Sequence, residues 1–176
     1  MFLFRWANST DLPAIAVLMD RAIATLQQPF LSPAEITASR AVMGLDTQLI
    51  ADGTYLLAEC EGRLAGCGGW SARATLYGGD HSTSLRDAAM LDPATQAARI
   101  RAMYTDPDFT RRGLGRMILT RCEDAAREAG FRRAEMMATL AGEPLYRACG
   151  YEVIEPVRSA PVDGASVPLI RMGKAL

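Results

Sequence analysis

The chain has 176 residues, of which 49% are hydrophobic and 22% charged, and a formal net charge of −1. That length and balance suit one globular domain with a core of its own, expected over residues 1–176, and leave no need for disulfide staples. The near-zero charge lacks the broad basic footprint of a nucleic-acid binder, and no stretch approaches the ~20 apolar residues of a membrane span.

The elements can be read in chain order. Phe2–Trp6 alternates as a first strand. Asn8-Ser9-Thr10-Asp11 offers N-cap chemistry to a helix over Leu12–Leu26, whose apolar face holds Ile15, Leu18, Met19 and Ala22. Ser32 caps a second helix with Pro33 at its first position and Glu35 in its first turn, running to about Met43 before Gly44 ends it. Thr54–Cys60 and Arg63–Trp70 form a hairpin about Glu61-Gly62. Ser71–Ala98 shows little periodicity and is expected as a partly ordered wall over a site.

Arg99–Thr105 is the next strand. A helix from Leu114 to Ala129 carries Leu114, Ile118, Cys122, Ala125 and Ala129 on one stripe and ends at Gly130. Then come a strand over Arg133–Thr139, a short helix over Glu143–Cys149, and strands over Tyr151–Val157 and Val167–Met172. This order predicts an α/β (α+β) fold, a mixed sheet flanked by helices. Val167–Met172 is expected as an edge strand, through which a homodimer could pair.

Cys60, Cys67, Cys122 and Cys149 have no CxxC spacing and His81 is the one histidine, so neither a zinc cluster nor any other metal is expected. Scattered thiols on apolar segments read as buried cysteines of a reducing compartment. Met1–Trp6 is too short and too soon interrupted by Arg5 for a signal segment, so the cytoplasm is the expected location.

The most informative run is Thr105-Asp-Pro-Asp-Phe-Thr-Arg-Arg-Gly-Leu-Gly-Arg116, between a strand and a helix. Gly113 and Gly115 lack a Cβ, so the turn can approach a ligand closely. The helix behind it directs unpaired amides and the positive end of its dipole into the same turn. With Arg111, Arg112 and Arg116 around it, the turn suits a pyrophosphate. No Gly-Lys-Ser/Thr follows, which disfavours a P-loop nucleotide binder.

In these residues the chain resembles the GNAT superfamily of acyl-CoA-dependent N-acyltransferases, from the first helix to the last strand and most strongly from Arg99 to Tyr151. The family's Gln/Arg-x-x-Gly-x-Gly/Ala motif reads here Thr110-Arg111-Arg112-Gly113-Leu114-Gly115. Thr110 departs from it, so one phosphate contact is either missing or supplied by Arg111. The second landmark is Leu145-Tyr146-Arg147-Ala148-Cys149-Gly150-Tyr151.

The resemblance implies a mostly antiparallel twisted sheet, acetyl-CoA as cosubstrate and an amine acceptor. It implies that the backbone of Met103, Tyr104 and Thr105 pairs with the pantetheine arm. Arg111, Arg112, Gly113, Leu114, Gly115 and Arg116 would hold the pyrophosphate, and Tyr146 would donate a proton to the departing thiolate, a phenol being protonated at neutral pH.

The base is not identified. A lysine-like amine is neutral at pH 7 only at a cost of about 4.6 kcal/mol. Relatives carry His or Glu on the strand before the glycine turn, whereas this chain has Arg99 and Arg101, which cannot accept a proton. Glu59, Asp80 and His81 remain, acting through water. Arg101 reads equally as a clamp for an acceptor carboxylate or as an ion pair with Glu59 or Asp106. The leading function is acetylation of a small-molecule amine. A protein or peptide acceptor and a non-catalytic acyl-CoA sensor are the alternatives.

Overall fold

A computed structural model describes residues 1–176. Its elements are β1 (Leu3–Trp6), α1 (Leu12–Leu26), α2 (Pro33–Ser39), α3 (Thr47–Ala51), β2 (Tyr55–Cys60), β3 (Arg63–Ser71), β4 (Ala98–Thr105), α4 (Leu114–Glu128), β5 (Arg133–Thr139), α5 (Glu143–Ala148), β6 (Glu152–Arg158) and β7 (Pro168–Ala175). The strands form one seven-stranded sheet in the order β1-β2-β3-β4-β5-β7-β6. The β4–β5 pair is parallel and the others antiparallel. The expected mixed, mostly antiparallel sheet flanked by helices is what forms.

Each face of the sheet takes one long helix. The Asn8 side chain accepts from Thr10 N–H while Asp11 accepts from Asn8 N–H, and this capping box feeds the chain into α1. Ile15, Leu18, Met19, Ala22 and Ile23 of α1 then bury against Tyr55, Leu57, Cys67 and Tyr104. On the other face Leu114, Ile118, Leu119, Cys122 and Ala126 of α4 meet Leu56, Ala58, Ala65 and Ile100. Alternate residues of β2 thus serve opposite cores, which is why Tyr55–Cys60 reads as an unbroken apolar run with one acid. The stripe on α4 ends at Ala126 rather than at Ala125 and Ala129, of which Ala129 is exposed.

Two expectations are corrected and one element is added. Helix α2 stops at Ser39, because Arg40, Ala41 and Val42 tighten into bonds three residues back. The single turn of α3 was not legible, since five residues show no period. Strand β7 is interior, between β5 and β6, so Val167–Met172 is not an edge; β1 and β6 are the edges. No helix is long and apolar enough to cross a membrane. Cys60, Cys67 and Cys122 are buried free thiols, and Cys149 is half-buried.

Candidate active site

Strands β4 and β5 pair only at Ala98↔Ala134 and Arg99↔Glu135 and then diverge. From Ile100 onward the β5-facing side of β4 has no strand partner, and its backbone groups border a gap. An outer cleft of about 380 Å³ occupies one side of that gap, bordered by Ala22, Ile23, Leu26, Thr105, Thr110, Arg111 and Leu145. An inner chamber of about 100 Å³ lies on the other, against Val42, Leu76, Tyr77, Arg101, Met137 and Leu169. Met43, Met103, Tyr104, Thr139 and Tyr146 line both, so the two spaces meet there.

The outer cleft is lined largely by apolar side chains, and of the expected phosphate residues only Arg111 lines it, with Arg112, Gly113, Leu114, Gly115 and Arg116 following directly behind. Gly113 is the residue before α4 and has φ 76°, a left-handed conformation that excludes branched side chains. It caps α4 without a side-chain hydrogen bond, so the first amides of a fifteen-residue helix have no side-chain acceptor. A Cβ on Gly115 would stand 2.7 Å from Leu145 Cδ2, so its bareness lets α4 meet α5. Arg111, at φ 60°, borders the cleft. Arg112 turns away, its guanidinium 5.1 Å from the Phe2 ring centre and 5.3 Å from that of Phe109. Arg116 donates to Ala148 O at 3.2 Å.

Strand β4 is bulged where the spaces meet. Gly69 pairs with Arg101 but Cys67 with Tyr104, so β4 carries one extra residue, and Ala102 adopts φ 51°. The Ala102 carbonyl accepts from the buried Tyr55 hydroxyl at 3.4 Å and lies 3.7 Å from Cys67 Sγ. Burial pushes the Cys67 thiol up to about 12, so it stays a neutral donor. A trans peptide points its N–H opposite to its C=O, so the Met103 amide is turned away from that core.

The inner chamber is shaped by side chains from distant segments. Arg101 is its one charged lining residue. Its Nη2 lies 2.8 Å from Asp46 Oδ2, with side-chain exposures of 4% and 1%, and also donates to Gly78 O. The contact with Asp46 is ionic and off the line of a hydrogen bond. Arg86 holds the other oxygen of Asp46 at 3.1 Å. Burial pulls the Arg101 guanidinium below its ordinary value, and Asp46 opposes that. Arg101 therefore pairs with Asp46, not with Glu59 or Asp106. Asp106 instead binds Arg21 of α1 at 2.9 Å.

The Ser71–Ala98 segment is ordered and roofs the chamber. Ala74 and Thr75 donate to Ala89 and Asp87, folding the segment back on itself. Its tip is stitched to the stretch between α2 and α3: Asp80 N–H donates to Leu45 O at 2.8 Å, Ser82 Oγ to Ala41 O at 2.7 Å, and His81 Nε2 lies 2.7 Å from Arg40 O.

Of the remaining sequence-stated candidates, Tyr146 lies at the junction. It is buried edge-to-face against Tyr151 at 6.1 Å, and desolvation raises its phenol above the ordinary value. Glu59 is far from the cavities in role, receiving Arg5 at 2.7 Å, and neither Glu59 nor His81 lines either space. Asp80 spends its carboxylate on Thr47 N–H. Sequence reasoning missed Asp46, Met43, Tyr77 and Thr139 as site residues, since they carry no mutual spacing; only the aperiodic Ser71–Ala98 segment hinted at a wall.

The sheet thus splays between two parallel strands, and a left-handed turn and a helix N-terminus follow Thr110 and Arg111 at the edge of the outer cleft. Residues 20–151 match the acetyltransferase (GNAT) family, and the chain belongs to it. No curated protein matches the chain in sequence. Among solved structures it is similar to a GCN5-related N-acetyltransferase from Rhodopseudomonas palustris, with TM-score 0.71, 16% identity and coverage of 99% of this chain and 95% of that one. It is also similar to a ribosomal-protein-alanine N-acetyltransferase from Brucella melitensis, with TM-score 0.66, 20% identity and 99% of each chain covered. A third is an acetyltransferase from Salmonella typhimurium solved with acetyl-CoA, with TM-score 0.63, 19% identity and coverage of 99% and 94%.

Proposed function

We propose that residues 1–176 act as one N-acetyltransferase domain that moves the acetyl group of acetyl-CoA to the primary amine of a small molecule. The observation that carries this reading is the junction of outer cleft and inner chamber at Met103, Tyr104, Thr139 and Tyr146. A donor lying in one space and an acceptor in the other would meet there, in a ternary complex. The small size of the chamber and the stitched roof over it favour a small acceptor over a peptide.

In this reading the phosphates sit at the start of α4, on amides from Gly113 to Arg116 and the side chain of Arg111. Arg112 contributes through its backbone, its side chain being stacked on Phe2 and Phe109. The pantetheine arm runs along the unpaired side of Met103, Tyr104 and Thr105, as an added strand. The Met103 amide, turned out by the bulge, polarises the thioester carbonyl. The amine nitrogen forms its bond to the carbonyl carbon and the carbon–sulfur bond breaks. Tyr146 gives its proton to the leaving thiolate and is restored by the proton that the nitrogen loses. A phenol raised by desolvation remains protonated across the physiological range, which suits a donor.

Thiol release from acetyl-CoA, measured with a panel of small amines and with short peptides, tests the reading. Acetylated product from at least one small amine, at rates above any peptide, is expected. Tight acetyl-CoA binding with no transfer to any amine would favour the sensor alternative.

A further inference from the structure

The sequence leaves the acceptor's proton without a base, and the chamber deepens that puzzle. Its lining includes methionines 43, 103, 136 and 137, with Val42, Leu76, Leu169 and three tyrosines, and no acid or imidazole. Arg101 is the one charge in the wall. Behind it, Asp46 is shared between Arg101 and Arg86, so this cluster of contacts holds two positive charges and one negative. Arg86 Nη1 is buried without a hydrogen-bond partner. Asp80, a second negative charge that acts on Arg101, accepts from Thr47 N–H and does not line the chamber. Arg99, the other arginine of β4, is paired with Glu135 at 2.8 Å.

An alkylammonium entering this space would lose its water, meet a like charge and find no carboxylate. The faces of Tyr77, Tyr104 and Tyr146 could repay on the order of thirty-fold through cation–π contact. Entering instead as the free base, an amine of pKa about 10.4 is neutral in only about one molecule in 2,500 at pH 7. A weakly basic nitrogen bears neither penalty.

Resting on the acetyl-transfer reading above, we propose that the acceptor is a weakly basic amine, an arylamine or an arylhydrazine, neutral at pH 7. The apolar wall and Arg101 select it by rejecting ammonium ions, and the chemistry then needs no enzymic base to generate the nucleophile. The nitrogen attacks as it arrives, and it sheds its proton after the bond to the acetyl carbon has formed.

The test compares aniline and phenylhydrazine with cyclohexylamine, similar in size and different in basicity. Binding to the full-length protein, with and without CoA, is measured by calorimetry, and acetylated product is measured with acetyl-CoA between pH 7 and 9. The weak bases should bind at least tenfold more tightly than cyclohexylamine at pH 7. Any turnover of cyclohexylamine should rise about tenfold per pH unit, following its free base, while that of the weak bases stays flat. Equal or tighter binding of cyclohexylamine at pH 7, or binding of none of the three, overturns the proposal. Preferential binding of the weak bases with no acetylated product upholds the selectivity and overturns the transfer reading instead.

Discussion

The outer cleft and the inner chamber share one gap in the sheet, yet they are made of different material. The cleft is bordered by apolar side chains of α1 and α5, by the open side of β4, and by Thr110 and Arg111, which lead into the left-handed turn at Gly113. The chamber is bordered by side chains from α2's end, the Ser71–Ala98 roof, β4, β5 and β7. The turn beside the cleft depends on backbone conformation, which a few glycines and a helix start must encode in order. A site made of side chains depends on how distant segments meet. In the proposed reading the first serves a constant cosubstrate and the second is free to vary with the acceptor.

The largest effect expected from breaking this division is at the turn. In Gly113→Val a new Cβ meets open space, so no core atom is displaced. The left-handed backbone would be strained by roughly 1–2 kcal/mol, and the branched side chain would stand over the first amides of α4. Acetyl-CoA affinity should fall by about 100-fold or more with only a modest drop in Tm. Undiminished binding in titration would remove the turn from the cosubstrate site.

Arg101→Met addresses the chamber. It leaves Asp46 buried with Arg86 as its remaining partner, and stability should fall by about 3 kcal/mol in urea unfolding. Acetyl-CoA affinity, set on the other side of the gap, should change less than about twofold. A parallel loss of affinity would show that the two regions are energetically one.

A smaller effect belongs to the roof's anchor. Arg73 bonds Asp52 at 2.7 Å and its hydrogen bond holds that carboxyl below the ordinary 3.8. A lowered native value means that the pair's stabilisation is complete above the unfolded carboxyl's range and is lost as pH falls through the native one. Asp52→Asn should therefore lose up to about 1 kcal/mol at pH 7, and the difference from the parent should vanish in acid. Hydrogen exchange should show the loosening in residues 72–91 and not around Gly113. The smallest effects are expected at Glu59→Gln and His81→Gln, which line neither space: kcat should stay within about twofold of the parent. A large drop in either would return that residue to the list of bases.

Legibility in the sequence followed the same division. Helix α1 is legible because an apolar stripe and the N-cap chemistry of Asn8–Asp11 agree. The hairpin of β2 and β3 is clear from Glu61-Gly62 between two apolar runs, and α4 from the apolar stripe that starts at Leu114, directly after Gly113. The turn and Tyr146 carry local signatures in the sequence. Asp46, by contrast, precedes a single helical turn and meets Arg101 only through tertiary packing, so no spacing announces it. The interior position of β7 depends on the chain passing beyond β7 to form β6 first, a crossover that strand content alone does not reveal.

The most direct test of the central claim is single-turnover acetyl transfer by Tyr146→Phe, with an accepted amine and saturating acetyl-CoA. Removing the hydroxyl keeps the ring that packs against Tyr151, so acetyl-CoA affinity and Tm should hold. The rate of transfer should fall by ~10²-fold or more, and less with a thioester whose thiol leaves more readily. An unchanged rate, with the chemical step shown to be limiting, would contradict proton donation by Tyr146.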